Sequence, residues 1–161
     1  RGYAKNGHAP SLHGLQVAYG TWCVLAAYEI LLRRLAKRRP FSDARGIFIS
    51  HAADWKKEAG LELAGNISRK LEALAEAAPR FRLLHGAPVR KRLASFFKEK
   101  KRLVGLYNAF ELPKTPKALG CSKAEARFAL EHAVDIRPRV TVFDLLHAVG
   151  GFGGVRRSAG V

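Results

Sequence analysis

Val17-Ala18-Tyr19-Gly20-Thr21-Trp22-Cys23-Val24-Leu25-Ala26-Ala27-Tyr28-Glu29-Ile30-Leu31-Leu32 is the stretch whose reading decides the fold. It is apolar nearly all round, interrupted chiefly by Gly20, Thr21 and Glu29, and it is too long for a strand. The expectation is a helix from Gly14 to about Lys37, stopped by Pro40 and buried on every side as the centre of a domain. A transmembrane span is the rival reading. The stretch is about the minimum length for a bilayer, and Gln16 and Glu29 weigh against it. Burial inside a helical domain, with no membrane span, is the expectation carried forward.

Downstream the pattern stays helical. Phe41–Gly46 reads as a turn, and Ile47–Ile49 as a short piece of either type. Asp54 offers an N-cap for a helix to about Ala77, weakened by Gly60 and Gly65, with Pro79 beyond its end. Pro88 suits the first turn of a helix from Ala87 to about Phe110. Pro113 and Pro116 hold a rigid loop. Ser122 and Glu125 form a capping box opening a helix through Ile136, which Pro138 closes; Thr141 and Asp144 start a last short helix. No internal repeat or alternating pattern appears, so the fold class is all-α. The expected layout is one helical domain over 1–149 and a flexible Gly-rich tail over 150–161.

The chain has 161 residues and 48% hydrophobic content, enough for a domain with its own core. Cys23 and Cys121 have no second thiol or histidine at ligand spacing, and read as buried thiols in a reducing compartment. Arg1 to Pro10 lacks the apolar stretch of a secretory signal. The expected compartment is the cytoplasm.

Three short segments carry chemistry. The first is Leu12-His13-Gly14-Leu15-Gln16-Val17-Ala18-Tyr19-Gly20-Thr21; the second, Leu112 to Cys121, runs Pro113, Thr115, Pro116, Leu119-Gly120; the third is Ile136-Arg137-Pro138-Arg139-Val140-Thr141-Val142-Phe143-Asp144-Leu145-Leu146. In this order they resemble the iron-containing alcohol dehydrogenase, glycerol dehydrogenase and dehydroquinate synthase superfamily, and within it the sn-glycerol-1-phosphate dehydrogenase branch. The resemblance implies that the chain is the C-terminal helical, metal-binding domain of an NAD(P)-dependent enzyme that reduces glycerone phosphate to glycerol 1-phosphate. It implies His13 as a ligand of Zn²⁺ or Fe²⁺, which polarises the substrate oxygen during hydride transfer. Gly14 and Gly20 would let backbone or substrate approach the helix. Arg137 and Arg139 match the family's Arg-x-Arg, to lock the last helix against carboxylates or to bind phosphate. Leu15 stands where the family usually has Glu. His13 otherwise reads as a helix-capping or core histidine.

The family's nucleotide-binding domain, with its Gly-rich phosphate loop, and its remaining ligands, an Asp and another His, are not found in the sequence. Gly150-Gly151-Phe152-Gly153-Gly154 lacks the strand-turn-helix context that a pyrophosphate cradle requires. With no methionine anywhere, the chain reads as truncated at its start, the nucleotide-binding half being supplied in cis or in trans. His8 lies in an apparent loop and is not given the missing role; His51, His85, His132 and His147 read as ordinary surface or core histidines.

A net charge of +16 is what a dehydrogenase does not predict. Arg33, Arg34, Lys37, Arg38 and Arg39 close the first helix, where cations complement the helix dipole. A second cluster, Arg80, Arg82, Arg90, Lys91, Arg92, Lys98, Lys100, Lys101 and Arg102, is interleaved with Phe81, Phe96, Phe97 and Tyr107. Those aromatics read either as core or as stacking platforms. The second functional reading is therefore a non-catalytic basic helical module that binds nucleic acid or a larger assembly.

Overall fold

A computed structural model describes residues 13–37, 61–81, 86–135 and 139–161. Of the part described, 82% is helical and none is strand, so the fold is all-α. The first helix, α1, is His13–Ala36, and three of the later helices pack on it. Its buried residues are Cys23, Ala26, Ala27, Leu31 and Leu35, which recur every three to four positions and form one seam. The expectation of burial on every side is corrected, since Val17 is 53% and Tyr28 46% exposed. Small residues in the seam let neighbours come close to one face while the opposite face stays bare. Among the described residues, α1 is the one helix long and apolar enough to cross a membrane.

Helix α2, Leu61–Phe81, contributes Ile67 and Lys70 to the interior, with Leu71 and Leu74 against the core. Pro79 lies within its last turn rather than beyond it; the expected cap Asp54 falls outside the described residues. Helix α3, Ala87–Ala109, begins with Pro88 in its first turn, as the sequence suggests. It lies on α1 through buried Val89 and Tyr107, and the Tyr107 hydroxyl donates to the Ala18 carbonyl at 2.6 Å.

After α3 the chain turns through Glu111, enters a 3-10 turn at Pro116–Leu119, and leaves it through Gly120 in the left-handed region. Helix α4, Lys123–Glu131, opens on the expected box: the Ser122 amide donates to Glu125 at 2.9 Å and the Glu125 amide to Ser122 Oγ at 3.1 Å. It tightens into a 3-10 turn at His132–Val134 instead of continuing as one helix. Helix α5, Val142–Ala148, is headed by Thr141 and Asp144.

The expected flexible tail is also corrected. Phe152–Ala159 forms a further helix, α6, which packs along α1 and buries Phe152, Val155 and Ala159. Its glycines serve close packing. A Cβ on Gly151 would lie 2.5 Å from Leu146 Cδ2, and one on Gly154 would lie 3.0 Å from Ile30 Cδ1.

Candidate functional site

The first motif is the N-terminal part of α1, and the segments carrying the other two, far apart in sequence, both pack against that helix. Tyr19 and Trp22 stand on its N-terminal half. The Tyr19 hydroxyl donates to the Ala159 carbonyl at 3.0 Å, and Trp22 Nε1 donates to the Ser158 carbonyl at 3.3 Å. The Trp22 ring leans on Tyr107, centroids 5.2 Å apart, and Lys114 Nζ stands 5.6 Å from its centre. Gly160 closes the group, with Thr115 and Pro116 3.6 Å from where its Cβ would be. The first two motif segments thus meet at one end of the molecule, while the third reaches α1 lower down through α5.

His13 is the first residue of α1, exposed, about 9 Å along the axis from Tyr19. Its imidazole has no hydrogen bond to another described residue. No group of three His, Cys, Asp or Glu side chains suited to a metal occurs among the described residues, and His13 belongs to no such group there. Gly14 and Gly20 face open space, where a Cβ would meet nothing within 4 Å. Leu15 is half-buried. Arg139 is exposed; Arg137 falls outside the described residues, as do His8, His51 and His85.

A cleft of about 270 Å³ opens beside the same end of α1, lined by Trp22, Leu25, Ala26, Lys100 and Ser158. Lys100 is not free there, because it is ion-paired with Glu29 of α1. Glu29 also takes the Arg33 guanidinium at 2.9 Å. Burial alone would push the Glu29 carboxyl up, but the hydrogen bonds from Lys100 and Arg33 outweigh it and hold the group below its ordinary value. Of the first basic cluster, Arg34 donates to the Val149 carbonyl at 2.8 Å, so that cation ties α1 to the end of α5. Burial raises the Cys23 thiol, as expected of an interior cysteine.

One feature escaped the reading of the sequence. Lys70 and Asp144 are 1% and 0% exposed and form an ion pair, Nζ to Oδ1 at 3.2 Å. Lys70 Nζ also donates to the Val134 carbonyl. Asp144 Oδ2 accepts from the Thr141 amide and, at 2.7 Å, from the Thr141 hydroxyl, so the residue that heads α5 also anchors α2. A signal was present: Lys70 continues the spacing Ile67, Lys70, Leu71, Leu74, a lone cation within an apolar stripe. Beside it, the carboxylate of buried Asp135 accepts from His132 Nδ1 at 2.8 Å, and His147 stacks on Phe152 at 4.1 Å. Both histidines have structural surroundings, as expected.

Comparison of the chain with family models, with curated proteins and with solved structures gives no match in any of the three.

Proposed function

We propose that the chain is the helical half of a metal-dependent NAD(P) dehydrogenase that reduces glycerone phosphate to glycerol 1-phosphate. The observation that carries this reading is the packing of the second and third motif-bearing segments on α1, the helix that His13 begins and that carries the first. Segments that share a site must be brought together by the fold, and elements of merely similar composition need not be.

In this reading His13 holds a divalent metal, with further ligands outside the described residues, and the metal supplies Lewis-acid polarisation of the substrate carbonyl. The chain's own part is positional. The Tyr107, Tyr19 and Trp22 hydrogen bonds pin the first turns of α1, so the imidazole stands on a rigid support. Exposed Gly14 and Gly20 leave room for a substrate to approach that helix. Arg139, exposed and without an ion pair to a described residue, is available to the substrate's phosphate. Nicotinamide binding belongs to the other half.

The test is oxidation of NADH and NADPH by glycerone phosphate, measured on the protein purified from its natural source with Zn²⁺ supplied. The expected result is substrate-dependent turnover that His13→Ala lowers by at least about a hundredfold. Turnover unchanged in His13→Ala, or no turnover in the natural protein, overturns the reading. The isolated 161 residues are expected to be inactive.

A further inference from the structure

Helix α3 divides its charge between two sides. Val89, Lys100 and Tyr107 turn inward, Lys100 being neutralised by Glu29. Arg90, Lys91, Lys98, Lys101 and Arg102 are all exposed and, at 3.6 residues per turn, fall within an arc of about 120° that runs some 18 Å along the axis. Glu99 is the only carboxylate on the helix and stands about 60° outside that arc beside the exposed Arg92, reaching Arg102 at 3.3 Å. Arg90, Lys91, Lys98 and Lys101 make no ion pair with any described residue. Lys98 lies three and four positions from Lys101 and Arg102, a spacing at which like charges repel and weaken the helix. A solvated face normally mixes signs. This one accumulates a single sign, against the helix's own stability, on a rigid support.

The geometry also selects the class of polyanion. The apolar side of α3 is taken up by α1, and between the cations of the arc, from Arg90 onward, stand only Ala94, Gly105, Asn108 and Ala109; the exposed Leu106 and Phe110 fall about 40° and 80° beyond its edge, so the arc itself has no large apolar side chain to enter a lipid surface. Phe96 and Phe97 are half-buried, Arg33 lies 4.6 Å over the Phe97 ring, and Tyr107 is buried. No aromatic platform for unpaired bases is therefore offered on the face, which removes the main attraction of a single strand. What remains is a row of cations as long as about five phosphates of one strand in a duplex, whose charge density exceeds that of a single strand. We propose that the exposed face of α3 docks the phosphate backbone of duplex DNA without reading its sequence. This is independent of the dehydrogenase reading.

The experiment is fluorescence anisotropy of a labelled duplex of about 20 base pairs with the full chain, titrated at salt concentrations from about 50 to 200 mM. Five phosphate contacts predict a slope of log affinity against log salt of about −4.5, a loss of roughly five hundredfold across that range. The variant carrying Lys91→Glu, Lys98→Glu and Lys101→Glu is expected to bind at least about a hundredfold more weakly at the lowest salt, with the slope reduced by about 3. A control with the same net charge, Lys37→Glu, Lys117→Glu and Lys123→Glu, alters exposed cations on other elements and is expected to keep the slope. Equal losses in the two variants overturn the proposal, because net charge alone would then explain binding. So does the absence of duplex binding at about 50 mM salt, or tighter binding to a single strand or to phosphatidylserine vesicles. Should the triple variant lose its helical circular dichroism, Lys98→Gln decides: a slope lowered by about 0.9 upholds the proposal and an unchanged slope overturns it.

Discussion

Lys70 and Asp144 set the terms on which α2 joins the rest of the chain. An ammonium and a carboxylate removed from water are tolerated only where each has further partners, and here Val134 and Thr141 supply them. The two ends of the pair are unequal. Asp144→Ala leaves a buried ammonium with one carbonyl and removes the head of α5, so a loss of roughly 3–5 kcal/mol in urea unfolding is expected. Lys70→Met leaves Asp144 still accepting from Thr141 and is expected to cost distinctly less; equal costs would mean that the pair, rather than the cap, dominates. Glu29 gives a pH-dependent counterpart. Its carboxyl titrates lower in the folded than in the unfolded chain, so its contribution is fully present above the unfolded value of about 4.3 and disappears as pH falls through the lower folded one. Glu29→Gln should therefore destabilise by about 1 kcal/mol at pH 7, and the gap from the parent should close towards pH 3. A gap unchanged at pH 3 would remove the ion pair as its cause.

Elements differ in how far local sequence determines them. The boxes at Ser122 and Thr141 were legible because both partners lie within one turn, and Pro88 marks the start of α3 for the same local reason. The metal-ligand candidate His13 was legible only as the entrance to α1, and no partner for it is found among the described residues. Helix α6 was not legible, because Gly153 and Gly154 promise freedom until Ile30 is known to stand against Gly154. The two views differ in the outcome of one experiment. In a flexible tail Gly154→Ala would be neutral, because the segment would be equally free in the folded and unfolded chain. Packed on α1, it is expected to cost about 1–3 kcal/mol through crowding. Ile30→Val removes the Cδ1 atom that lies 3.0 Å away, so combining it with Gly154→Ala should recover part of the loss. Additive losses in the double variant would show that the crowding lies elsewhere. Lys70 was missed for a related reason: a lysine in a helix reads as solvated until Asp144 is placed opposite it.

On the scale of the molecule, α1 is completed from both ends of the sequence. Phe152 and Val155 alone bury enough apolar surface for roughly 3–6 kcal/mol, a large share of the 5–15 kcal/mol that holds a typical domain. Truncation after Val149 is therefore expected to abolish cooperative thermal unfolding, followed by the Trp22 fluorescence that α6 shields. A truncated chain that keeps a sharp transition would show that α1, α3 and α5 suffice. The same dependence bears on the charge, since the basic face of α3 is rigid only while α1 supports it.

Tyr19 and Ala159 are hydrogen-bonded across 140 residues of sequence. A ribosome adding about 5–20 residues per second needs about 7 to 28 s to make the second after the first. During that interval α1, the most apolar helix described, is already outside the exit tunnel while its α6 cover does not yet exist. Nascent chains of this protein should therefore engage a holding chaperone, and release should follow synthesis of Phe152 to Ala159.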